Sequence, residues 1–131
     1  MAPRSEGAVL DSGALIAFEK PSRRVVLHGL LAEFGARQIV VSAGSVAEVW
    51  RGSGRQAGLA RLLNSKRTTV VDMTVHQAMA IGVFVGRSGS PGRDIVDVHV
   101  AMLAKSYGFA VLSSDRDDLL AIAPDLTVVD I

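Results

Sequence analysis

Short apolar segments of strand length alternate with longer segments of helical period along this chain, and this alternation limits the folds open to it. Runs rich in β-branched and aliphatic residues occur at 8–10, 38–41, 68–71, 110–112 and 126–129. Helical segments separate these runs from one another. Because parallel strands require long crossover connections, the order predicts an α/β fold: a three-layer α/β/α sandwich around a mainly parallel central sheet of about five strands.

The segments between the strands carry helix boundaries. Ser42 and Thr74 have side chains that cap a helix start, and Gly108 stands where the helix that contains Asp97 should end. Glycines interrupt the chain at 52–54, and a loop is predicted at 87–92. Helices are predicted at 13–18, 21–35, 55–63 and 115–122, after Ser42 through Trp50, after Thr74 through Val85, and around Asp97.

Length and composition favour one globular domain over residues 1–131. The chain is 49% hydrophobic, enough for a continuous core, and Arg, Glu, Asp or Gly interrupts each apolar stretch before the roughly 18 residues of a membrane span. It has no cysteine, so disulfides and thiolate chemistry are excluded. Since the start also lacks the apolar core of a secretory signal, we expect a soluble cytoplasmic protein. The net charge of +1 does not by itself indicate a nucleic-acid binder.

Asp97 is the most unusual residue in this pattern. Its neighbours from Ile95 to Ala104 are almost all apolar, so that the run reads as a buried helix. A carboxylate in such surroundings costs free energy unless it is paired, hydrogen-bonded or bound to a metal. Asp97 therefore predicts a polar site next to the core.

Three further acids are predicted at the same edge of the sheet. Asp11 and Asp115 follow the first and fourth strands, and Glu48 lies about two helical turns after the second. Reactive groups of open α/β sheets gather outside the carboxyl ends of the strands. Four converging negative charges need a compensating cation, and oxygen ligands without cysteine or a histidine cluster favour Mg²⁺ or Mn²⁺.

The four acids lie in four ordered segments that together resemble a PIN domain, and more narrowly the VapC-type toxins of bacterial toxin–antitoxin pairs. The resemblance covers nearly the whole chain, and the ordered set is more specific than any one segment. Two positions depart from the usual pattern: Ser113 replaces a common Thr, and Asp118 replaces an aromatic residue. The segments are VLDSGAL at 9–15, SAGSVAEV at 42–49, DVHVAMLA at 97–104 and LSSDRD at 112–117.

The resemblance implies a Mg²⁺- or Mn²⁺-dependent endoribonuclease that cleaves RNA. It also implies a homodimer, neutralised by a small antitoxin protein whose segment lies across the acidic site. The chemistry of phosphodiester hydrolysis is compatible with these residues. Asp11 and Asp97 are expected to bind the metal directly and Asp115 to bind the same or a second ion. Glu48 is expected to act through water, as a ligand or as the group that orients the attacking water.

Other residues are candidates to support the metal ligands or to contact substrate. The candidates for support are Ser12, Asp94, Ser113 and Asp117. Arg87 and Arg93 flank the loop before Asp97 and are candidates for phosphate contact. A basic stretch formed by Arg51, Arg55, Arg61, Lys66 and Arg67 fits RNA contact and a solvated helix face equally well.

Most of these residues also have a purely structural interpretation. Asp94 and Asp115 are placed to cap helices, and Asp11 could begin a turn. Glu48 has the spacing of a capping box with Ser45. The three histidines lack metal-ligand spacing and are interpreted as ordinary helix residues.

Two other functional classes compete with the nuclease hypothesis, and a third possibility keeps the fold without the activity. A receiver-like phosphoacceptor domain would use Asp72 after the third strand, but it wants paired acids after the first strand and a lysine beyond Lys105. A phosphatase of the haloacid dehalogenase type wants Asp-x-Asp at the first strand, and Ser12-Gly13 follows Asp11 instead. A catalytically inactive PIN-like RNA-binding module stays open.

Overall fold

The structure, a computed structural model, describes residues 6–89 and 94–131. Within them the chain forms a five-stranded sheet with the strand order β3-β2-β1-β4-β5, and every pairing is parallel. The predicted three-layer α/β/α sandwich with a parallel sheet is therefore confirmed. The strands are β1 Gly7–Leu10, β2 Gln38–Ser42, β3 Thr68–Val71, β4 Ala110–Ser113 and β5 Val128–Asp130.

Helices cover both faces of the sheet because side chains of consecutive strand residues point to opposite faces. Leu10 packs with Leu15, Leu27 and Leu59 on one face. Val9 packs on the other face, in a cluster with Val100. The helices are α1 Ser12–Ala17, α2 Pro21–Glu33, α3 Ala43–Val49, α4 Ala57–Leu63, α5 Val75–Ser88, α6 Ile95–Tyr107 and α7 Arg116–Ile122.

The strand order argues against the receiver alternative. Receiver domains have the doubly wound order 2-1-3-4-5, in which the third strand is central. Here β3 lies at the edge of the sheet and β1 pairs with β2 and β4. Asp72 is exposed after that edge strand, and its charge is not among those that act on Asp97.

Two elements begin two residues later than the sequence predicts. The last strand begins at Val128 rather than at residue 126, because the Leu126 N–H is used in a turn that bonds to the Ala123 carbonyl. The helix predicted at 55–63 begins at Ala57 rather than at residue 55, after a 3-10 turn at Gly54–Gln56. The buried Gln56 side chain holds this turn, since its Oε1 accepts from the backbone N–H groups of Arg51 and Gly52.

No helix in the described part of the chain is both long enough and apolar enough to cross a membrane.

Candidate functional site

The carboxyl ends of β1, β2 and β4 place three polar residues side by side in the sheet. Asp11 follows β1, Ser42 ends β2 and Ser113 ends β4, and all three are buried. Since β1 lies between β2 and β4, Asp11 occupies the middle of this edge. Asp11 thus lies at the carboxyl ends of the central strands, the edge at which the sequence predicts the acids.

Asp11 is only 2% exposed and is held on both carboxylate oxygens. Oδ1 accepts the Ala14 N–H at 3.0 Å and so caps α1, while Oδ2 accepts a hydrogen bond from the Ser113 hydroxyl. Ser113 Oγ also accepts the Asp115 N–H at 2.8 Å, so one hydroxyl connects the first and last of the four acids. Burial raises the pKa of Asp11, and these hydrogen bonds oppose that effect.

Asp97 is the electrostatic centre of the acidic cluster, defined here as Asp11, Glu48, Asp97 and Asp115. Its pKa is raised from 3.8 to about 7, first by burial and then by the negative charges of Asp94 and of the other three members of the cluster. Within residues 6–89 and 94–131, no basic side chain forms an ion pair with Asp97 and no group donates a hydrogen bond to its carboxylate. The fold therefore brings Asp11, Glu48 and Asp115, which are distant in sequence, close enough for their charges to act on Asp97.

Glu48 is attached to the first acidic segment through Ser12. The Ser12 hydroxyl donates to Glu48 Oε1 at 2.7 Å, across 36 residues of sequence. The proposed capping box with Ser45 is absent, since Ser42 caps α3 and accepts the Gly44 N–H at 3.1 Å. Ser12, a candidate to support the metal ligands, therefore contacts Glu48 rather than its neighbour Asp11.

Asp94 has the structural role that its position suggested. Its Oδ1 caps α6 by accepting the N–H groups of Val96 at 2.8 Å and Asp97 at 3.4 Å. The cap also places a negative charge near Asp97, which raises the pKa of that carboxyl. Asp115 likewise precedes α7, but its side chain makes no capping hydrogen bond.

The remaining candidates in the described part of the chain make no hydrogen bond or ion pair with the cluster. Asp117, in the first turn of α7, lines an open depression of about 340 Å³ with Asp115, Asp118 and Asp130. Arg87 is exposed in the last turn of α5, and no contact with the four acids is found for it in the described ranges. Arg93 falls outside the described residues.

A buried serine–histidine pair lies beside the acidic cluster, and the sequence did not predict it. Ser42 Oγ and His99 Nδ1 lie 2.7 Å apart, and both residues are fully buried. The sequence predicts that His99 is an ordinary helix residue. In the structure burial lowers the pKa of His99, and its Nε2 atom has no hydrogen-bond partner in the described part of the chain. The helical spacing from Val96 through His99 to Leu103 could have placed it on the buried face.

This pair connects the two helices that carry site acids. Ser42 caps α3, which carries Glu48, while His99 lies two residues after Asp97 on α6. Ser42 Oγ therefore makes two hydrogen bonds, one accepted from the Gly44 N–H and one shared with His99 Nδ1, whose direction depends on the histidine tautomer.

The donor chemistry of the cluster fits a hard divalent cation. The Asp97 and Asp115 carboxylates receive no hydrogen bond within residues 6–89 and 94–131, and every charge acting on Asp97 raises its pKa. In the same ranges no three acidic or histidine side chains already surround a single ion position. The residues therefore fit a hard divalent cation in charge and donor type.

Comparison with solved structures identifies proteins of the same fold. VapBC2 from Rickettsia felis, bound to a DNA fragment from its promoter, matches with a TM-score of 0.63 at 17% identity, covering 94% of this chain and 97% of that one. FitAB bound to an IR36 DNA fragment matches with a TM-score of 0.58 at 19% identity, covering 94% of each chain. FitAcB from Neisseria gonorrhoeae matches with a TM-score of 0.56 at 18% identity, covering 92% of this chain and 95% of that one.

A comparison with curated proteins gives no match. The sequence model of the PIN domain, however, matches residues 8–123, which contain all four acids of the cluster. PIN domains are generally nucleases. The chain belongs to the PIN domain family.

Proposed function

We propose that this protein is a metal-dependent endoribonuclease that hydrolyses RNA phosphodiester bonds with Mg²⁺ or Mn²⁺. The observation that carries the proposal is the raised pKa of Asp97, which combines burial with the charges of Asp11, Asp115 and Glu48. Such a set is unfavourable without a cation and favourable with one. Membership of a family of nucleases supports the same reaction class.

We propose a separate role for each acid of the cluster. Asp11 and Asp97 are proposed as direct ligands, and Asp115 as a ligand of the same or a second ion. Glu48, fixed by Ser12, is proposed to act through water. Ser113 holds Asp11 and the Asp115 backbone in register, and the bound cation would lower the pKa of a water molecule and offset negative charge on the phosphate.

We further propose that the protein acts as the toxin of a toxin–antitoxin pair. The VapBC2 and FitAB structures that share its fold are toxin–antitoxin complexes. A small antitoxin would inhibit by placing a basic segment across the acidic cluster, where it would supply the missing positive charge. The proposed cellular location is the cytoplasm, where both RNA and the antitoxin would be present.

We also propose that the protein forms a homodimer, and an exposed apolar face of α5 supports this proposal. Val75, Met79 and Val83 are spaced four residues apart on this helix and are 78%, 66% and 53% exposed. Ile81 is the one α5 residue found buried in the described part of the chain. An apolar helix face of this kind commonly marks a protein interface. Met79→Glu should therefore shift the protein from dimer to monomer in analytical ultracentrifugation, whereas a monomeric wild type would refute the homodimer.

The nuclease proposal is tested by incubating RNA with Mn²⁺ and comparing the wild type with Asp97→Asn and with Asp72→Asn. Wild type and Asp72→Asn should cleave, and Asp97→Asn should lose at least about a hundredfold in rate, as expected when a metal-binding charge is removed. Equal cleavage by wild type and Asp97→Asn would refute the mechanism. Retained RNA binding without cleavage by the wild type would favour the inactive module.

A further inference from the structure

A second charged site lies between α2 and α4, at the opposite edge of the sheet from the acidic cluster. It is a pocket of about 210 Å³ whose apolar lining is formed by the buried residues Phe18, Ile39 and Leu62. Ile39 lies three residues before Ser42 on β2, which places the pocket roughly 10 Å along the strand from the site edge. The lining residues that matter here are Arg24, His28, Gly58, Arg61, Ser65 and Arg67.

Two of the three arginines are fixed in place by backbone carbonyls. Arg24 Nε donates to the Phe18 carbonyl at 2.9 Å, and Arg67 Nη2 donates to the Ala36 carbonyl at 2.7 Å. Arg24 also passes directly over Gly58, where an added Cβ would overlap its guanidinium. The planar groups are therefore oriented before any ligand arrives, which reduces the entropy lost on binding.

The pocket lacks a balancing negative charge. In the described part of the chain the ion pairs join Lys105 to Asp125 and Arg116 to Asp130, both elsewhere in the fold. The carboxylate of Glu19, next in sequence to Phe18, accepts a hydrogen bond from the Gln56 amide at 2.7 Å instead. Gathered positive charges without a counter-charge are stabilised by an anion.

Hydrogen-bond donors remain for such an anion. Within residues 6–89 and 94–131, Arg61 makes no hydrogen bond, and the Nη1 groups of Arg24 and Arg67 make none. Ser65 Oγ accepts the Arg67 N–H at 3.2 Å, so its own proton can be donated to a ligand. The His28 ring stands edge-on to Phe18 at 5.3 Å, beside these donors.

We propose that this pocket binds a phosphate group. Arginine side chains form charge-assisted hydrogen bonds with phosphate, and the lining of this pocket combines three arginines with a serine hydroxyl that can donate to another phosphate oxygen. The phosphate can belong to a small molecule or to a nucleic-acid backbone. The site is separate from the acidic cluster and is independent of whether that cluster cleaves RNA.

The test is isothermal titration calorimetry with inorganic phosphate, in metal-free buffer at constant ionic strength. Arg61→Gln should weaken phosphate binding about tenfold, because one charge-assisted contact is lost. The matched control Arg23→Gln removes an exposed arginine of α2 that does not line the pocket, and it should change the affinity by less than about twofold. Gly58→Ala should weaken binding by displacing Arg24 while Arg61 stays intact.

The proposal is overturned if the wild type does not bind phosphate in the millimolar range, or if Arg23→Gln weakens binding as much as Arg61→Gln. A second titration uses a 2′-O-methyl RNA oligonucleotide without a terminal phosphate as competitor. Competition identifies the backbone of a nucleic acid as the source of the phosphate. Binding of inorganic phosphate without competition identifies a small phosphate compound. Circular dichroism of each variant verifies that it is folded.

Discussion

Replacing Asp97 by asparagine should stabilise the metal-free protein near neutral pH. The pKa of Asp97 is raised from 3.8 to about 7 by burial and by neighbouring carboxylates. Between these values the folded chain keeps a proton that the unfolded chain releases. Stability of the wild type therefore falls as the pH rises from about 4 to about 7. Asparagine is neutral throughout and resembles the protonated acid in shape, so it removes this loss.

The size of the effect follows from the same pKa. Over the pH range between the two pKa values, the difference in proton binding lowers the free energy of unfolding of the wild type by about 4 kcal/mol. Asp97 is only half-buried, so solvent screening reduces the expected gain at pH 8 to about 2 kcal/mol. For a domain of this length that gain raises the Tm by roughly 6 °C. The raised pKa of Asp11 acts in the same direction, so the pH dependence of the variant should be reduced rather than abolished.

Urea unfolding at several pH values between 5 and 8, in the presence of EDTA, measures this difference. The control is Asp72→Asn, which removes an exposed acid that is not among the charges acting on Asp97. The control should keep the pH dependence of the wild type. If Asp97→Asn is no more stable than the wild type at pH 8, or if it keeps the same pH dependence, the argument for a half-buried, unpaired carboxylate fails.

Three further predictions concern residues around the acids. Ser42→Ala removes a helix cap and a buried hydrogen bond and should lower the free energy of unfolding by about 2 kcal/mol in urea titrations. The control Ser45→Ala removes a buried hydroxyl that has no partner in the described ranges, and it should change the free energy of unfolding by less than about 0.5 kcal/mol. Ser113→Ala should raise the pKa of Asp11 further and weaken Mn²⁺ binding in calorimetry, whereas Ser113→Thr should keep the Mn²⁺ affinity of the wild type. Equal Mn²⁺ affinity of the two variants would refute the role of the hydroxyl. Mn²⁺ affinity of the wild type should increase from pH 6 to pH 8 with release of a proton, since Asp97 must ionise, and a pH-independent affinity would contradict this.

The fold and the position of the acids were predictable because both depend on local patterns. Alternating apolar segments predict a parallel sheet, and the rule for carboxyl ends then brings Asp11 and Asp115 to one edge without knowledge of the packing. Asp97 was recognisable because a carboxylate inside an apolar helical run conflicts with burial. The boundaries at Ala57 and Val128 were less accurate, because hydrogen bonds to Gln56 and Ala123 set them.

Contacts between distant residues were not predictable from spacing. The Ser42–His99 pair spans 57 residues, and neither residue is unusual in its own segment. Likewise, Ser12 contacts Glu48 only because α1 and α3 lie side by side. The three arginines of the pocket come from α2, α4 and the segment before β3 and have no common sequence motif. Such features depend on which surfaces the fold brings together.

The central claim, that the acidic cluster holds a divalent cation, is tested most directly by the anomalous difference map of a crystal soaked with Mn²⁺. A peak is predicted among the carboxylates of Asp11, Asp97 and Asp115, at metal–oxygen distances of about 2.2 Å, and it should disappear in Asp97→Asn. A map without a peak at these carboxylates, or with Mn²⁺ bound only elsewhere, would contradict the account.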